Sequence, residues 1–184
     1  MTQPTRIPLT EFASAPRVSV EIIRRQAAGF QKPPAVLGEL EAAQAYVFVL
    51  NRQRQIVFAS RNLRELIPDK VRSQLLGMRP GEALRCIRAH ESESGCGGSD
   101  ECLRCGALQA IVASLTGRTD AQEFTLTRFI GCHQEVRPFL ALATPLVQGD
   151  ETFSIFAVTD KSNTRAREIL ARPPVSNPPS SPRA

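Results

Sequence analysis

The 184-residue sequence has no tryptophan, one tyrosine and two histidines, and it contains no long apolar run. Its longest hydrophobic stretches are too short to cross a bilayer. The start of the chain, MTQPTR, lacks the apolar centre of a secretory signal peptide. These absences predict a soluble, cytoplasmic protein that does not contact a membrane.

Several classes of function lack their usual sequence signature. The net charge is +5 and the pI is about 9.3, but the arginines and lysines are dispersed and form no basic run. Nucleic-acid binding usually needs a basic stripe or aromatic side chains on which bases stack, so we expect no nucleic-acid partner. No catalytic triad, phosphate-binding glycine loop or carboxylate pair is recognisable, and we therefore expect that the protein is not an enzyme.

Cysteine, in contrast, is concentrated in one place. Four of the five cysteines fall within the twenty-residue stretch CIRAHESESGCGGSDECLRC, and they are Cys86, Cys96, Cys102 and Cys105. Thiolates are soft ligands that favour zinc and iron–sulfur centres, and four of them can complete a four-coordinate site. We interpret this cluster first as a zinc or iron–sulfur site. The additional candidate ligands are His90, Cys132 and His133.

The most specific local feature is the pair Cys102 and Cys105. Ser99 or Asp100 is placed to cap a helix that the apolar spacing extends from Cys102 to Leu115. In that arrangement both thiols lie on one face near the helix N-terminus, where the amide groups would lower their pKa. The same pair also suits a redox dithiol, and ordinary buried thiols are a third interpretation. The overall spacing matches no standard zinc-finger or ferredoxin pattern, so it does not name the metal.

The domain organisation follows from composition. We expect a flanking segment with a helix over residues 1–35, one domain over residues 36–170, and a disordered tail rich in proline and serine over residues 171–184. The apolar flanking helix either covers the sheet of the domain or contacts a second copy of the chain.

Apolar alternation predicts an α+β fold, in which an antiparallel sheet of about five strands carries short helices on one face and flanking N- and C-terminal helices. The predicted strands cover residues 45–50, 55–60, 122–130, 136–146 and 152–158. We interpret Arg79-Pro80-Gly81 as a turn. Pro138 and Pro145 predict edge positions or a bulge in their strand, because proline cannot donate to a sheet.

Three stretches resemble the PAS domain family: LNRQRQIVFAS in the first hairpin, the ending FAVTDKSN, and LGMRPGEALRCIRAHESESGCGGSDECLRCGALQAI between them. The cysteine-containing stretch is similar to a PAS subgroup with cysteines at these positions that precedes bacterial sensor histidine kinases. The resemblance covers residues 36–170. It implies a sensory domain in which Cys86, Cys96, Cys102 and Cys105 hold an iron–sulfur cluster or zinc.

The resemblance also implies how such a protein signals. We expect a homodimer or a signalling partner such as a histidine kinase, because no output domain is recognisable after the last predicted helix. The flavin-binding cysteine motif of light-sensing PAS domains is missing, so no flavin is expected. PAS cavities can hold haem, for which His90 and His133 would be the only imidazole ligands. The signal would be a redox change or a gas. A structural zinc-binding interaction module and a CxxC oxidoreductase are the alternatives.

Overall fold

The computed structural model describes residues 16–171, so the first fifteen residues and the predicted tail from residue 172 lie outside the described part of the chain. The helices are α1 (Val20–Ala28), α2 (Ala35–Ala42), α3 (Asp69–Arg72), α4 (Pro80–Ala83), α5 (Gly106–Leu115) and α6 (Thr164–Ala171). The strands are β1 (Tyr46–Leu50), β2 (Ile56–Ala59), β3 (Asp120–Ile130), β4 (His133–Gln148) and β5 (Glu151–Thr159). Short 3₁₀ helices cover Arg61–Glu65, Ile87–His90 and Asp100–Arg104.

The five strands form one sheet in the order β2-β1-β5-β4-β3, and all neighbouring pairs are antiparallel. The predicted α+β architecture is confirmed, and the strands that follow each other as β1 and β2, β3 and β4, and β4 and β5 form hairpins. The pairing of β1 with β5, which brings the two ends of the domain together at the centre of the sheet, was not predicted. It aligns Phe48 with Phe156, whose rings stack with centroids 5.9 Å apart.

Strand β1 is apolar at almost every position because both of its faces are buried. Phe48 and Leu50 contact one hydrophobic core, while Val47 and Val49 contact a second core on the opposite face. Successive side chains of a strand point to opposite faces, so one short apolar run serves both cores.

The helices divide between these two faces. The core around Phe48 is covered by the short helices and by α5, which contribute Leu63, Ala83 and Ile111. The opposite core is covered by the flanking helices α1, α2 and α6. The predicted placement of short helices on one face is therefore confirmed, and the flanking helices cover the other face of the sheet.

The two prolines of β4 lie where this strand has only one neighbour. Pro138 pairs with β3 beyond the end of β5, and Pro145 pairs with β5 beyond the end of β3. Both sides of β4 are paired only between residues 140 and 143. Neither proline needs to donate to a second strand, so each occupies a local edge, although β4 as a whole lies between β5 and β3.

The predicted turn at Arg79-Pro80-Gly81 is wrong, because Pro80 begins the short helix α4. Proline suits the first helical position, where a backbone N–H has no partner within the helix. The Glu82 carboxylate accepts a hydrogen bond from the Arg79 backbone N–H at 3.0 Å, which fixes the start of the helix.

None of the helices formed by residues 16–171 is long and apolar enough to span a bilayer.

Candidate functional site: the cysteine cavity

The predicted cysteine cluster borders a single cavity of about 430 Å³ between the short helices and β3. Cys86, Cys96, Cys102 and Cys105 all line it, although up to eighteen residues separate them in sequence. Cys102 is buried and the other three are half-buried. The apolar part of the lining includes Leu84, Leu108, Ile111, Leu126 and Phe156. The fold thus brings together the four cysteines that the sequence singled out.

The other candidate ligands lie elsewhere. Cys132 and His133 are exposed at the turn between β3 and β4, and His90 is exposed at the end of its 3₁₀ helix. None of these three side chains lines the cavity.

The predicted continuous helix from Cys102 to Leu115 is wrong, because the backbone is extended at Cys105, with φ −72° and ψ 115°. Cys102 lies in the 3₁₀ helix Asp100–Arg104, and Cys105 is the N-cap of α5. Ser99 does cap the 3₁₀ helix by position, but its hydroxyl lies 3.2 Å from the Cys102 sulfur rather than on the backbone. The two thiols therefore do not share one helical face.

Gly106 explains where α5 begins. An added Cβ at Gly106 would lie 2.1 Å from the backbone oxygen of Glu123 in β3. Only glycine allows this end of the helix to approach the strand so closely. Since Cys105 immediately precedes this contact, β3 fixes the position of the thiol at the cavity.

The loop between the cysteines also depends on glycine. Gly95 and Gly97 both have positive φ, at +77° and +94°. An added Cβ would lie 2.2 Å from Glu82 Oε1 at Gly95 and 2.0 Å from Arg54 Nη1 at Gly97. The loop can therefore close over these two charged groups only because both residues lack a side chain.

Three of the cavity thiols hold their protons more strongly than a free cysteine does. Burial raises the pKa of Cys96 to about 12 and also raises the pKa of Cys86 and of Cys105. The prediction of a lowered pKa is wrong for Cys105. Amide groups do approach its thiol, as expected near a helix N-terminus, but burial outweighs them.

Backbone groups act against burial at three of the four sulfurs. Hydrogen bonding from Gly81 lowers the pKa of Cys96, that from Arg88 and Ala89 lowers the pKa of Cys86, and that from the first residues of α5 lowers the pKa of Cys105. An added Cβ at Gly81 would lie 2.7 Å from the Cys96 sulfur, so glycine permits this approach. Amide hydrogen bonds to sulfur are a normal feature of metal-bound thiolates.

Two buried arginines also border the cavity. Arg54 and Arg79 are each about 1% exposed. Arg79 donates to the backbone oxygens of Gln53 at 3.2 Å and Ser94 at 2.8 Å, which holds the cysteine loop against the hairpin turn. Arg79 lies in a stretch that resembles the PAS subgroup, but its interpretation as part of a turn did not predict that its side chain is buried.

Arg54 brings positive charge close to sulfur. Burial lowers the pKa of its guanidinium, while the electrostatic influence of Cys96 and Cys102 acts in the opposite direction. The same attraction favours the thiolate form of Cys96. A cation that is buried beside several thiols favours an anionic arrangement of those thiols.

The donor chemistry fits an iron–sulfur cluster or zinc, because four soft ligands with amide donors and a buried cation face one cavity. In residues 16–171, however, no three cysteine, histidine, aspartate or glutamate side chains are grouped as a bound metal ion requires. Cys86, Cys96, Cys102 and Cys105 are the residues that would hold such a centre.

Five protein chains of known structure are similar to this chain. A PAS domain from a two-component sensor histidine kinase, known from its crystal structure, is similar to this chain at 15% sequence identity and a TM-score of 0.39. The likeness covers 70% of this chain and 100% of that domain. No protein-family model matches the sequence. No curated protein matches it either.

Proposed function

We propose that this protein is a sensory or regulatory PAS-type protein whose four-cysteine cavity binds an iron–sulfur cluster or zinc and responds to redox state or a gas. The observation that carries the proposal is the meeting of Cys86, Cys96, Cys102 and Cys105 at one cavity. A random distribution of structural thiols would not be expected to place four cysteines at one cavity.

Charge supports a metal-bound state. Four thiolates bring more negative charge than a divalent ion neutralises, and isolated negative charge is costly to bury. Arg54, buried beside Cys96 and Cys102, offsets part of that cost. Without a metal, burial raises the pKa of the Cys96 thiol and the sulfur holds its proton, so metal binding at this residue must release that proton.

A cluster or a zinc ion would supply sensitivity to oxidants or to ligand exchange at sulfur. The residues of the chain supply the response. The thiols hold the loop between Cys86 and Cys105 at the cavity, and loss of ligation frees this loop from α5. Because α5 contacts β3, β4 and β5, its displacement would reach the sheet. Such a switch needs two states of similar free energy, each favoured by one state of the site.

A structural zinc site is the second candidate function. Closed four-cysteine zinc sites are commonly structural, and here the metal would hold a long loop while another surface binds the partner.

A CxxC oxidoreductase is less well supported. A dithiol enzyme would use only Cys102 and Cys105, and it would leave Cys86 and Cys96 at the cavity without a role. Haem is also less well supported, because both histidines are exposed away from the cavity.

The partner and the location belong to the same proposal. We propose that the protein acts in the cytoplasm, as a homodimer or with a signalling partner such as a histidine kinase. The exposed apolar residues Phe129, Ile130 and Val136 show that the hairpin of β3 and β4 carries uncovered hydrophobic surface within the described residues. Such surface is common at protein contacts.

Serine substitutions test the metal site. After anaerobic purification, we expect Cys86→Ser, Cys96→Ser, Cys102→Ser and Cys105→Ser each to lower the bound metal, while Cys132→Ser retains the wild-type amount. Cys132 is the matched control because it is exposed at a turn outside the cavity. Retention of metal by Cys86→Ser and Cys96→Ser would contradict the proposed site. Thiol–disulfide exchange activity that survives both substitutions would instead support the dithiol enzyme.

A further inference from the structure

The segment before α1 is held against the body of the domain near the cysteine cavity. Arg17 donates to the Gly77 backbone oxygen at 3.2 Å. The Val18 backbone N–H donates to Gln55 Oε1 at 2.8 Å, and Gln55 in turn donates to Gly77 at 3.1 Å. The direction in which the chain enters α1 is thus set by contacts with the first hairpin and with the turn that follows α3.

The second nitrogen of the Arg17 guanidinium hydrogen-bonds Glu82 Oε1. The same carboxylate oxygen accepts the Cys96 backbone N–H at 3.2 Å, and the other oxygen accepts the Arg79 N–H. Glu82 is therefore bound at once to the flanking segment, to the start of α4 and to a cysteine of the cavity. Its side chain is only 15% exposed, so water is a limited substitute for these partners.

Gly95 shows how closely the cysteine loop, the Glu82 carboxylate and the Arg17 guanidinium approach one another. An added Cβ there would lie 2.2 Å from Glu82 Oε1 and 2.9 Å from Arg17 Nη2. The loop, the carboxylate and the arginine therefore occupy one small space. Movement of the loop at Cys96 cannot leave the Arg17–Glu82 pair unchanged.

We infer that Glu82 is a positioning residue that holds Cys96 at the cavity and couples the cysteine loop to the segment ahead of α1 through Arg17. The link to a bound metal rests on the proposed function, whereas the coupling between the two segments does not. Coupling between two sites is reciprocal, so a change at either segment must be felt at the other.

Amide hydrogen exchange of the full chain, measured by NMR, tests the coupling in both directions. We expect Arg17→Gln to accelerate exchange at the Cys96 amide about fivefold, which corresponds to the loss of one modest charged hydrogen bond. We expect Glu82→Gln and Gly95→Ala to accelerate exchange at Val18 and at Ile23, whose N–H bonds to the Ser19 oxygen. Arg17→Lys, which keeps the charge, should restore part of the protection at Cys96.

Arg24→Gln is the matched control, because Arg24 is an exposed arginine on α1. This variant should leave the hydrogen-exchange rate of the Cys96 amide at its wild-type value. The inference is overturned if Arg17→Gln behaves like this control, or if the Glu82 and Gly95 variants fold but leave Val18 and Ile23 at their wild-type rates. Should Gly95→Ala fail to fold, the milder Glu82→Gln decides the second direction.

Metal content measured on the same samples separates this inference from the proposed function. We expect Arg17→Gln to keep the wild-type metal content while it loses the coupling. Removal of the metal by a chelator should then accelerate exchange at Val18 in the wild type and leave it unchanged in Arg17→Gln. A wild type without metal but with reciprocal exchange effects would refute the proposed function and leave the coupling intact.

Discussion

Arg54 places a buried positive charge next to Cys96 and Cys102. Its residue type and its position in a hairpin turn would normally indicate a solvated side chain. Burial is possible because Gly97, which has positive φ, lets the loop close over the guanidinium. At the scale of single residues, the site is therefore defined by this cation as well as by the four sulfurs.

Arg54→Gln is expected to lower the affinity for the bound metal about tenfold, because one unit charge near several thiolates is worth more than 1 kcal/mol at an intermediate dielectric constant. Arg54→Lys should lose less, since it keeps the charge. Competition with a chelator measures both. The control is Arg52→Gln, which removes an exposed arginine of the same turn. Equal losses in Arg54→Gln and Arg52→Gln would show that the position of the charge is unimportant.

Glu82 predicts a dependence of stability on pH. Burial alone would raise the pKa of this carboxyl, but hydrogen bonds from Arg17, Arg79 and Cys96 hold the pKa below its ordinary value of 4.5. A lowered pKa in the folded state stabilises the fold above the pKa of the unfolded state, and this contribution is lost as the pH falls through the folded value. The free energy of unfolding should therefore decrease as the pH falls below about 4.5.

Urea unfolding at a series of acidic pH values measures this effect. Glu82→Gln should lower stability at neutral pH and show a shallower decrease on acidification than the wild type. Glu93→Gln, in the same loop but exposed, should follow the wild type. A Glu82→Gln curve parallel to the wild-type curve would contradict the assignment.

The four sulfur positions are recognisable in the sequence, but their environment is not. A cysteine cluster is visible in sequence because the residue type itself is uncommon and chemically specific. Arg54 and Glu82 were not identified as site residues, because arginine and glutamate are usually exposed and only the folded structure shows which of them are buried. The positive φ values at Gly95 and Gly97 allow the loop to close tightly. The sequence shows that these residues are glycines, but it does not show which side chains they approach in the folded protein.

At the scale of elements, the interruption at Cys105 determines how the cavity is built. A single helix from Cys102 would have placed two thiols along one face. Instead, a 3₁₀ helix presents Cys102, one extended residue changes the chain direction, and α5 begins against β3. Apolar spacing predicted the α5 portion correctly, but it could not show the break, because the cause is the approach of Gly106 to Glu123, which is seventeen residues away in sequence.

Gly106→Ala tests this contact between α5 and β3. The added Cβ would lie 2.1 Å from a backbone oxygen that cannot move as a side chain can. We expect a loss of about 1–3 kcal/mol in the free energy of unfolding, the usual range for overfilled contacts. Because Cys105 adjoins Gly106, metal content should fall as well. Chemical denaturation of the metal-free protein separates the two effects.

Gly38→Ala is the control in which the same substitution adds a Cβ without a close contact. Gly38 lies exposed within α2, and an added Cβ would meet no atom within 4 Å. Alanine favours the helix over glycine, so this variant should gain about 0.5–1 kcal/mol. If Gly106→Ala is as stable as Gly38→Ala, the close approach of α5 to β3 is not a constraint on the fold.

At the scale of the whole molecule, the sheet separates two regions. The short helices and the cysteine cavity lie on one face, and the flanking helices α1, α2 and α6 lie on the other. Hairpins and strand type were predictable because they depend on neighbouring residues. The central pairing of β1 with β5 was not, because it joins residues more than one hundred positions apart, such as Val47 and Ala157.

This arrangement gives a sensor of the proposed kind a short route between its parts. Glu82 joins the cavity to the chain entering α1, and α1 covers the opposite face of the sheet. A change at the thiols can therefore reach a flanking helix without passing through the centre of the sheet. The homodimer and the kinase partner stay predictions.

The central claim is that the four-cysteine cavity binds an iron–sulfur cluster or zinc. The most direct test is a visible absorption spectrum of the anaerobically purified full chain, with iron, labile sulfide and zinc determined on the same sample. We predict either a brown protein with iron and sulfide that is bleached by air, or a colourless protein with about one zinc per chain, as a four-cysteine site holds. Anaerobic protein with neither iron, sulfide nor zinc would contradict the claim and leave the four cavity thiols without a metal-binding role.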